Sequence, residues 1–244
     1  GVHAVLVGEA LMRAADKSAF VAELQGRRAP LHAPRAPRRL VKVCGVRSRD
    51  AALAAAAAGA DLVVVQSQLG EEYETTPNDA QVSYAQALAD SGQIDILFGA
   101  HPHVPQPAEK LSGGVGGKGM WVSYSAGNYI SNQDEECCAP LSDVGQLVWA
   151  DVTSHADGSV SVDKLNWHPF TMDLAGGHKI RDLAALHNGE QPAGLGLSKE
   201  QIDRRWSLLT SQVKDASTVS TTPPKATGPA PTIPSRDEVI TRAG

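Results

Sequence analysis

Ile94-Asp95-Ile96-Leu97-Phe98-Gly99-Ala100-His101-Pro102-His103 is the stretch of this 244-residue chain that decides its fold. The first five residues are mostly apolar and are followed by glycine, which predicts a buried strand over residues 94–98. In open α/β sheets, binding and catalytic groups gather just beyond the carboxyl ends of the strands. The stretch therefore predicts an α/β fold with His101 and His103 at a candidate site.

Two histidines separated by one residue indicate a metal site. Neutral imidazole is the commonest metal ligand in proteins, and it suits zinc, or manganese and iron where carboxylates help. Pro102 has a fixed φ of about −65° and restricts the residue before it, so we expect the loop to hold one shape. An isolated pair of this kind on a surface more often binds nothing, so the neighbouring motifs decide between the two interpretations.

Three further motifs surround the histidine pair. They are DLVVVQSQLGEEY at residues 61–73, QPAEK at 106–110 and WVSYSAGNYISNQ at 121–133. In this order and spacing, the motifs resemble the CapA family, which is named for poly-γ-glutamate capsule synthesis and belongs to the calcineurin-like metallophosphoesterases. The resemblance covers roughly Asp61 to Asp173, given the usual uncertainty of boundaries drawn from sequence.

The CapA resemblance implies a fold, a site and a function. The fold is part of a metallophosphoesterase-like α/β sandwich, and the function is synthesis of a cell-surface polymer. His101 and His103 are implied to be metal ligands, and Asn128 is implied to be a catalytic residue that orders the site. The expected partner is a cell-surface polymer or a phosphoester substrate, in the cell envelope or outside the cytoplasm.

The metal site departs from the family pattern at one ligand. Family members read H-W-G-x-E-Y where this chain has Gln68 in QLGEEY. An amide oxygen is a weaker donor than imidazole for a transition metal. The first half of the superfamily's two-metal site is also missing, since Gly8-Glu9 is not its GD motif. We therefore expect manganese, iron or zinc to be held weakly or incompletely, with impaired or no metal-dependent hydrolysis.

The first sixty residues resemble two other enzymes. Residues 1–13 are similar to the last β/α unit of indole-3-glycerol phosphate synthase, with Gly8 and Glu9 in a phosphate-binding turn at a helix N-terminus. Residues 40–50 contain KVCG and resemble the first β/α unit of phosphoribosylanthranilate isomerase, which implies that Cys44 is a general base. A complete barrel of this type needs about 250 residues, so we expect no complete site here. Without the partner acid, Cys44 is better interpreted as a small buried hydrophobe.

These resemblances leave three hypotheses for the function. The first is a CapA-like protein of the metallophosphoesterase type, and the second is a non-catalytic fragment or relic that keeps only the fold. The third is a remnant of a bifunctional tryptophan-biosynthesis enzyme, which would be cytoplasmic. We favour the first as the family and the second as the expectation for measured activity.

The chain divides into six predicted segments of different composition. They are a synthase-like β/α unit at 1–26, a basic linker at 27–39, an isomerase-like β/α unit at 40–60, a CapA-like half at 61–185, a helical extension at 186–214 and a disordered tail at 215–244. The two β/α units are of the TIM-barrel type, and the tail is rich in Ser, Thr, Pro and Ala without apolar periodicity.

Local patterns predict further elements of secondary structure. Helical periodicity favours helices over Thr76–Ser91 and Ser198–Lys214, with Ser198 as the capping residue of the second. Alternating residues at 144–152 and 159–163 around an Asp-Gly turn predict a β-hairpin, which residues 164–170 extend. These strands support the site without supplying ligands, so His168 is expected to be structural.

Composition excludes two classes of partner. The net charge of −5 argues against nucleic acid as the main partner, because phosphate binding depends on lysine and arginine. No apolar run approaches about 18 residues, so no membrane-spanning segment is predicted.

Cys137 and Cys138 are adjacent and are not expected to form a disulfide with each other. A solvated loop is favoured there over a thiolate and carboxylate metal cluster.

Overall fold

A computed structural model describes residues 3–7, 39–43, 62–155, 159–212 and 218–219. The strands are β1 (His3–Val7), β2 (Arg39–Val43), β3 (Val64–Gln68), β4 (Ile96–Ala100), β5 (Ala108–Leu111), β6 (Met120–Ser123), β7 (Val144–Ser154), β8 (Val160–Asp173), β9 (Lys179–Asp182) and β10 (Thr218–Val219). The helices are α1 (Asp79–Asp90), α2 (Leu183–His187) and α3 (Lys199–Gln212), and Val115–Gly117 form a 3-10 turn.

The first sheet has six strands in the order β1-β2-β3-β4-β6-β5. All neighbouring pairs are parallel except β5 and β6, which run antiparallel. The predicted α/β class is therefore confirmed. The strands predicted in the two N-terminal β/α units are present as β1 and β2, and they extend the same sheet that contains β3 and β4. The barrel-type units themselves are not established, because the residues that follow β1 and β2 lie outside the described ranges.

Strand β4 begins and ends two residues later than the predicted range 94–98. Asp95 precedes the strand, and its carboxylate accepts a hydrogen bond from the Val63 amide at 2.8 Å. Gly99 continues the strand instead of closing it. A Cβ at this position would lie 2.0 Å from the carbonyl oxygen of Tyr124, so glycine lets the two backbones approach each other closely.

The second sheet is built on the β7–β8 hairpin, which confirms the predicted antiparallel pair and its extension by residues 164–170. Strand β9 pairs antiparallel with the end of β8, and β10 pairs parallel with its middle. Neither β9 nor α2 was predicted. Strand β10 falls within the segment that the sequence predicts to be disordered, residues 215–244.

The two sheets pack face to face through alternate side chains of β4 and β8. Ile96, Trp121 and Ala108 from the first sheet form a buried apolar cluster with Leu165 from the second. The opposite side of β4 faces α1, since Leu97 and Gly99 line a small crevice together with Tyr84. Helix α1 therefore lies on one face of the first sheet and the second sheet on the other.

Helix α1 begins three residues later than predicted, at Asp79. Asn78 is its capping residue, and the Asn78 and Gln81 side chains each bond the other's backbone amide. This capping box satisfies two amides that a helix N-terminus leaves free, which fixes the start of the helix. Helix α3 starts where the sequence predicts, because Ser198 and Gln201 form the same reciprocal pair.

Helix α3 is attached to the second sheet by a buried ion pair. The Arg205 guanidinium contacts the Asp143 carboxylate and donates hydrogen bonds to the Thr171 hydroxyl at 2.8 Å and the Met172 carbonyl at 3.0 Å. Burial raises the pKa of Asp143, while the Arg205 charge lowers it. Among the described helices, none is long and apolar enough to cross a membrane.

Candidate functional site

Three neighbouring parallel strands deliver the candidate site to one edge of the first sheet. Gln68 is the last residue of β3 and lies opposite Ala100, the last residue of β4. His101 and His103 follow β4 directly, and Asn128 follows β6 by five residues. Because parallel strands end at the same edge, the fold brings the predicted site residues of β3, β4 and β6 into one region.

The His101-Pro102-His103 loop has a constrained backbone. His101 has a φ of 110° and His103 a φ of 61°, a region that residues with side chains rarely adopt. A residue before proline usually has an extended backbone, whereas His101 has a positive φ. The loop turns sharply because the Pro102 carbonyl accepts a hydrogen bond from the Tyr73 amide at 2.7 Å, which ties it to the loop after β3.

Asn128 connects the histidine loop to the rest of the site. Its side-chain oxygen lies 2.8 Å from His103 Nδ1. Its amide nitrogen donates to the Gln133 side-chain oxygen at 2.8 Å and to the Ser142 main-chain carbonyl at 2.9 Å. Asn128 is therefore hydrogen-bonded at both ends of its side chain.

Gln133 and Tyr73 complete a network that sequence reasoning missed. The Gln133 amide nitrogen donates to the Tyr73 hydroxyl at 3.2 Å, and the ring of Tyr73 lies 6.2 Å from that of His103 between centroids. Gln133 is the last residue of the motif WVSYSAGNYISNQ, and membership of that motif is the sequence feature that could have identified it. Its contact with Tyr73 joins residues sixty positions apart, and no local pattern predicts such a pair.

Gln106 of the QPAEK motif has a structural role beneath the site. It is fully buried and donates to the Glu74 carbonyl at 2.8 Å, while its oxygen accepts from Gln81 at 2.7 Å. In the same motif, Glu109 accepts a hydrogen bond from the Tyr124 hydroxyl at 2.7 Å. Burial and this carboxylate raise the pKa of Tyr124. The motif thus holds the loop after β3 and the segment after β6 in place.

The second sheet supports the Asn128 loop through backbone contacts with β7. Gly127 forms an isolated antiparallel bridge with Gly145 at the start of β7. The Gln146 amide donates to the Ala126 carbonyl at 2.8 Å. Farther along β8, His168 is buried with Nε2 2.9 Å from an Asp182 oxygen, which fits its expected structural role.

The residues predicted as metal ligands from the family resemblance lie at the ends of β3 and β4. Gln68 and His101 are exposed at the sheet edge, and the rings of His101 and His103 are 6.3 Å apart between centroids. Glu72 is the nearest carboxylate to His103, at 4.0 Å from Nε2. Within the described ranges, no group of three or more His, Cys, Asp or Glu residues could hold a metal ion.

The N-terminal site predictions cannot be placed at this edge. Gly8 and Glu9 follow β1 in sequence, and Cys44 follows β2. All three lie outside the described residues. The predicted phosphate-binding turn and the isomerase-like base stay predictions.

The prediction for Cys137 and Cys138 is wrong, because the structure joins them in a disulfide. They lie in an exposed turn that Asp134 closes by accepting hydrogen bonds from the amides of Glu136 and Cys137 at 3.0 Å. The turn brings the two adjacent side chains to one side, which an extended backbone would not do. The solvated loop favoured at this position agrees with the exposure of Cys137.

Comparisons with known proteins extend the family match beyond the sequence motifs. The family described as bacterial capsule synthesis protein PGA_cap matches residues 9–133, which is just over half of the 244 residues. The motifs alone place the resemblance at Asp61 to Asp173, and the family match overlaps that range from residue 61 to residue 133. Residues 9–60 contribute to the match although they contain none of the motifs that identified the family.

Individual relatives confirm both resemblances, each over a short region. The PGA biosynthesis protein CapA of Bacillus subtilis is 46% identical over 74 residues, which make up 30% of this chain and 18% of the relative. The capsule biosynthesis protein CapA of Bacillus anthracis is 40% identical over 74 residues, 30% of this chain and 16% of the relative. The multifunctional tryptophan biosynthesis protein of Phycomyces blakesleeanus is 54% identical over 66 residues, 26% of this chain and 9% of the relative.

The chain matches less than a fifth of the length of each of these relatives. The similarity to the tryptophan enzymes lies in the N-terminal region. No solved structure matches the chain. The family match covers more than half of the chain and includes the histidine loop, Gln68 and Asn128. The chain therefore belongs to the family of bacterial capsule synthesis proteins.

Proposed function

We propose that this chain is a CapA-like protein of cell-surface polymer synthesis, of the poly-γ-glutamate type, with impaired or no metal-dependent hydrolysis. The observation that carries the proposal is the donor set at the shared sheet edge. It consists of two histidines, one of them exposed, and an exposed amide at Gln68. Family membership supports the role in polymer synthesis. The incomplete set of metal donors supports the impaired or absent hydrolysis.

The proposal includes a fold in the same class as the metallophosphoesterases. Two sheets packed through Ile96 and Leu165 support an α/β sandwich of that type. The described part of the chain would supply the half that bears His101 and His103. The N-terminal strands would then represent the β/α units that resemble the tryptophan enzymes, joined to the edge of the sandwich.

A divalent metal at this edge would be held by His101, His103 and Gln68, with manganese, iron or zinc as the candidates. When bound, such an ion supplies Lewis-acid activation of a phosphoester oxygen. Two imidazoles and one neutral amide give little negative charge, so we expect one weakly bound ion rather than a pair.

Metal content tests the first part of the proposal. We expect the purified protein to contain less than one manganese, iron or zinc ion per chain by elemental analysis. A double variant, His101→Ala with His103→Ala, removes both imidazoles and should lose that metal. An exposed histidine elsewhere serves as the control, since His178→Ala leaves the sheet edge intact. Two tightly bound ions per wild-type chain would contradict the proposal.

Hydrolysis tests the second part. With bis(p-nitrophenyl) phosphate and added manganese, we expect little or no turnover by the wild-type protein. Gln68→His restores the imidazole of the family pattern and should raise metal affinity, because imidazole is the better donor for these ions. The conservative control is Gln68→Asn, which keeps an amide and should change nothing. Robust metal-dependent turnover by the wild-type chain would refute the claim of impaired hydrolysis.

A remnant of a tryptophan-biosynthesis enzyme is the second candidate. The 54% identity to the Phycomyces blakesleeanus protein over 66 residues favours it. Because a barrel enzyme draws its catalytic groups from several strand ends, we expect no isomerase activity from two β/α units. Measurable phosphoribosylanthranilate isomerisation that disappears in Cys44→Ala would favour this candidate over the first.

A further inference from the structure

We infer that Asn128 is a positioning residue that holds His103 with its proton on Nδ1, so that Nε2 is the atom presented at the sheet edge. The inference deepens the proposed function, on which it rests for the use of His103. It also changes the role expected from the family resemblance, because a catalytic residue would touch the substrate itself.

The Ser142 main-chain carbonyl sets the orientation of the Asn128 amide. A carbonyl oxygen can only accept hydrogen bonds, so the group facing it at 2.9 Å must be the Asn128 amide nitrogen. The Asn128 oxygen then faces His103 Nδ1 at 2.8 Å. An oxygen without hydrogen accepts, so Nδ1 must donate. In neutral imidazole only one nitrogen carries hydrogen, which leaves Nε2 with a free lone pair.

The reversed arrangement is disfavoured by the same carbonyl. If the Asn128 amide turned over, its oxygen would face the Ser142 carbonyl oxygen at hydrogen-bond distance, with no hydrogen between them. Gln133 does not prevent this reversal, because the Tyr73 hydroxyl beyond it can both donate and accept. Gln133 occupies the second amide hydrogen of Asn128 and holds its plane, whereas Ser142 decides its direction.

Glu72 is the described group that could compete for the proton of His103. Its oxygen lies 4.0 Å from Nε2, beyond hydrogen-bond distance. The His103 and Glu72 side chains are 37% and 53% exposed, so water screens their attraction. The 2.8 Å hydrogen bond to Asn128 is the stronger influence on the neutral tautomer.

Asn128 has no hydrogen left for a substrate. Both amide hydrogens are taken, by Gln133 and Ser142, and its oxygen accepts from His103. The chemistry at the edge is therefore that of His103 Nε2, a lone pair that accepts a proton from a ligand or binds a cation. Orientation of an imidazole through its other nitrogen is a common way of presenting such an atom.

The tautomer can be measured directly by two-dimensional ¹H–¹⁵N spectroscopy of the imidazole rings in the full chain, without added metal. At about pH 8.5 an ordinary histidine is neutral, and the two tautomers give different cross-peak patterns. We expect His103 to show a protonated Nδ1 and His101 to show the mixture of a solvated side chain. Assignment follows from the spectra of His103→Gln and His101→Gln.

Two variants of Asn128 separate positioning from general structural support. Asn128→Ala removes the acceptor, and His103 should lose its single-tautomer pattern. Asn128→Asp keeps an oxygen facing Nδ1 and sets its other oxygen against the Ser142 carbonyl, so the folded variant should keep the pattern at a cost in stability. The matched control is Asn132→Ala, an exposed asparagine four residues along the same loop, which should leave the pattern unchanged.

The inference would be overturned by a wild-type His103 that carries its proton on Nε2, whichever variants fold. It would also be overturned if folded Asn128→Ala kept the protonated Nδ1 pattern. Neither outcome depends on metal content or hydrolysis, so failure of the inference is distinguishable from failure of the proposed function.

Discussion

His101 and His103 are two residues apart in one loop, and the structure treats them differently. His103 is half-buried, hydrogen-bonded through Asn128 and next to the ring of Tyr73. His101 is exposed, and its ring lies 6.3 Å from that of His103 between centroids. A motif that looks symmetrical in the sequence is therefore asymmetric in the fold. The difference comes from the loop after β6, because its Asn128 is hydrogen-bonded to His103.

The largest expected change in stability comes from removing the Arg205–Asp143 ion pair, which lies next to the Ser142 carbonyl that Asn128 contacts. Arg205→Ala leaves Asp143 buried without its partner, next to Ser142, and should lower the free energy of unfolding by about 3 kcal/mol. The neighbouring Arg204→Ala is the control, because its pair with Glu135 is exposed and is worth less than about 1 kcal/mol. Urea unfolding of both variants measures the difference in the free energy of unfolding. Equal losses would contradict the assignment of a stabilising buried ion pair.

The same variant predicts a pH dependence. Removing Arg205 removes the influence that lowers the pKa of Asp143, so burial raises this pKa further. A carboxyl whose pKa is higher in the folded than in the unfolded state destabilises the fold as the pH rises between the two values. The stability deficit of Arg205→Ala relative to wild type should therefore shrink on acidification from neutral pH. Unfolding midpoints measured in a pH series test this, and a deficit that grows on acidification would contradict it.

A smaller loss of stability is expected from a substitution in β4, the strand that precedes both histidines. In Gly99→Ala, the new Cβ would meet the Tyr124 carbonyl, forcing β4 away from the segment after β6. We expect a loss of about 2 kcal/mol, together with weaker contact between His103 and Asn128. Gly116→Ala has open space around its Cβ and should lose only the cost of a left-handed residue, about 1 kcal/mol. Thermal or urea unfolding compares the two variants.

The next largest effect is the difference in the free energy of unfolding between alanine variants of the two histidines. His103→Ala breaks a hydrogen bond to a half-buried amide and should cost about 1 kcal/mol. His101→Ala removes an exposed side chain and should change the free energy of unfolding by less than about 0.5 kcal/mol. Similar losses in the two variants would show that the asymmetry of the loop has no energetic consequence.

The smallest expected effect has the opposite sign. His101 has a φ of 110°, which glycine adopts without strain. His101→Gly should therefore stabilise the protein by about 0.5 kcal/mol, whereas His103→Gly should destabilise it because the hydrogen bond to Asn128 is lost. Denaturant midpoints of the two glycine variants would reveal any departure from these opposite signs.

The sequence was sufficient for features that depend on local patterns. The β7–β8 hairpin, the cap of α3 at Ser198 and the strand leading to the histidines follow from alternation, capping chemistry and apolar runs. The start of α1 was misplaced because the Asn78 and Gln81 capping box outweighs the preference of Pro77 for a first turn. In both helix caps the deciding interactions lie three residues apart.

The features that could not be predicted depend on contacts between distant segments. Tyr73 and Gln133 are sixty residues apart in sequence, and the role of Gln106 depends on Gln81 and Glu74. The left-handed backbone of His101 accompanies a hydrogen bond from the Tyr73 amide to the Pro102 carbonyl, 29 residues apart in sequence. Sequence motifs located the site at the end of β4, but they could not show which of its two histidines the fold would hold.

The spacing of the network residues along the chain has a consequence for the order in which the site assembles. Asn128 and Ser142 are separated by 14 residues, His103 and Asn128 by 25, and Tyr73 and Gln133 by 60. The entropy of closing a flexible loop grows with the logarithm of its length, so the longest closure costs about 1.3 kcal/mol more than the shortest. The amide of Asn128 can therefore find its carbonyl early, and the tyrosine closes the network last, after the parallel strands have paired.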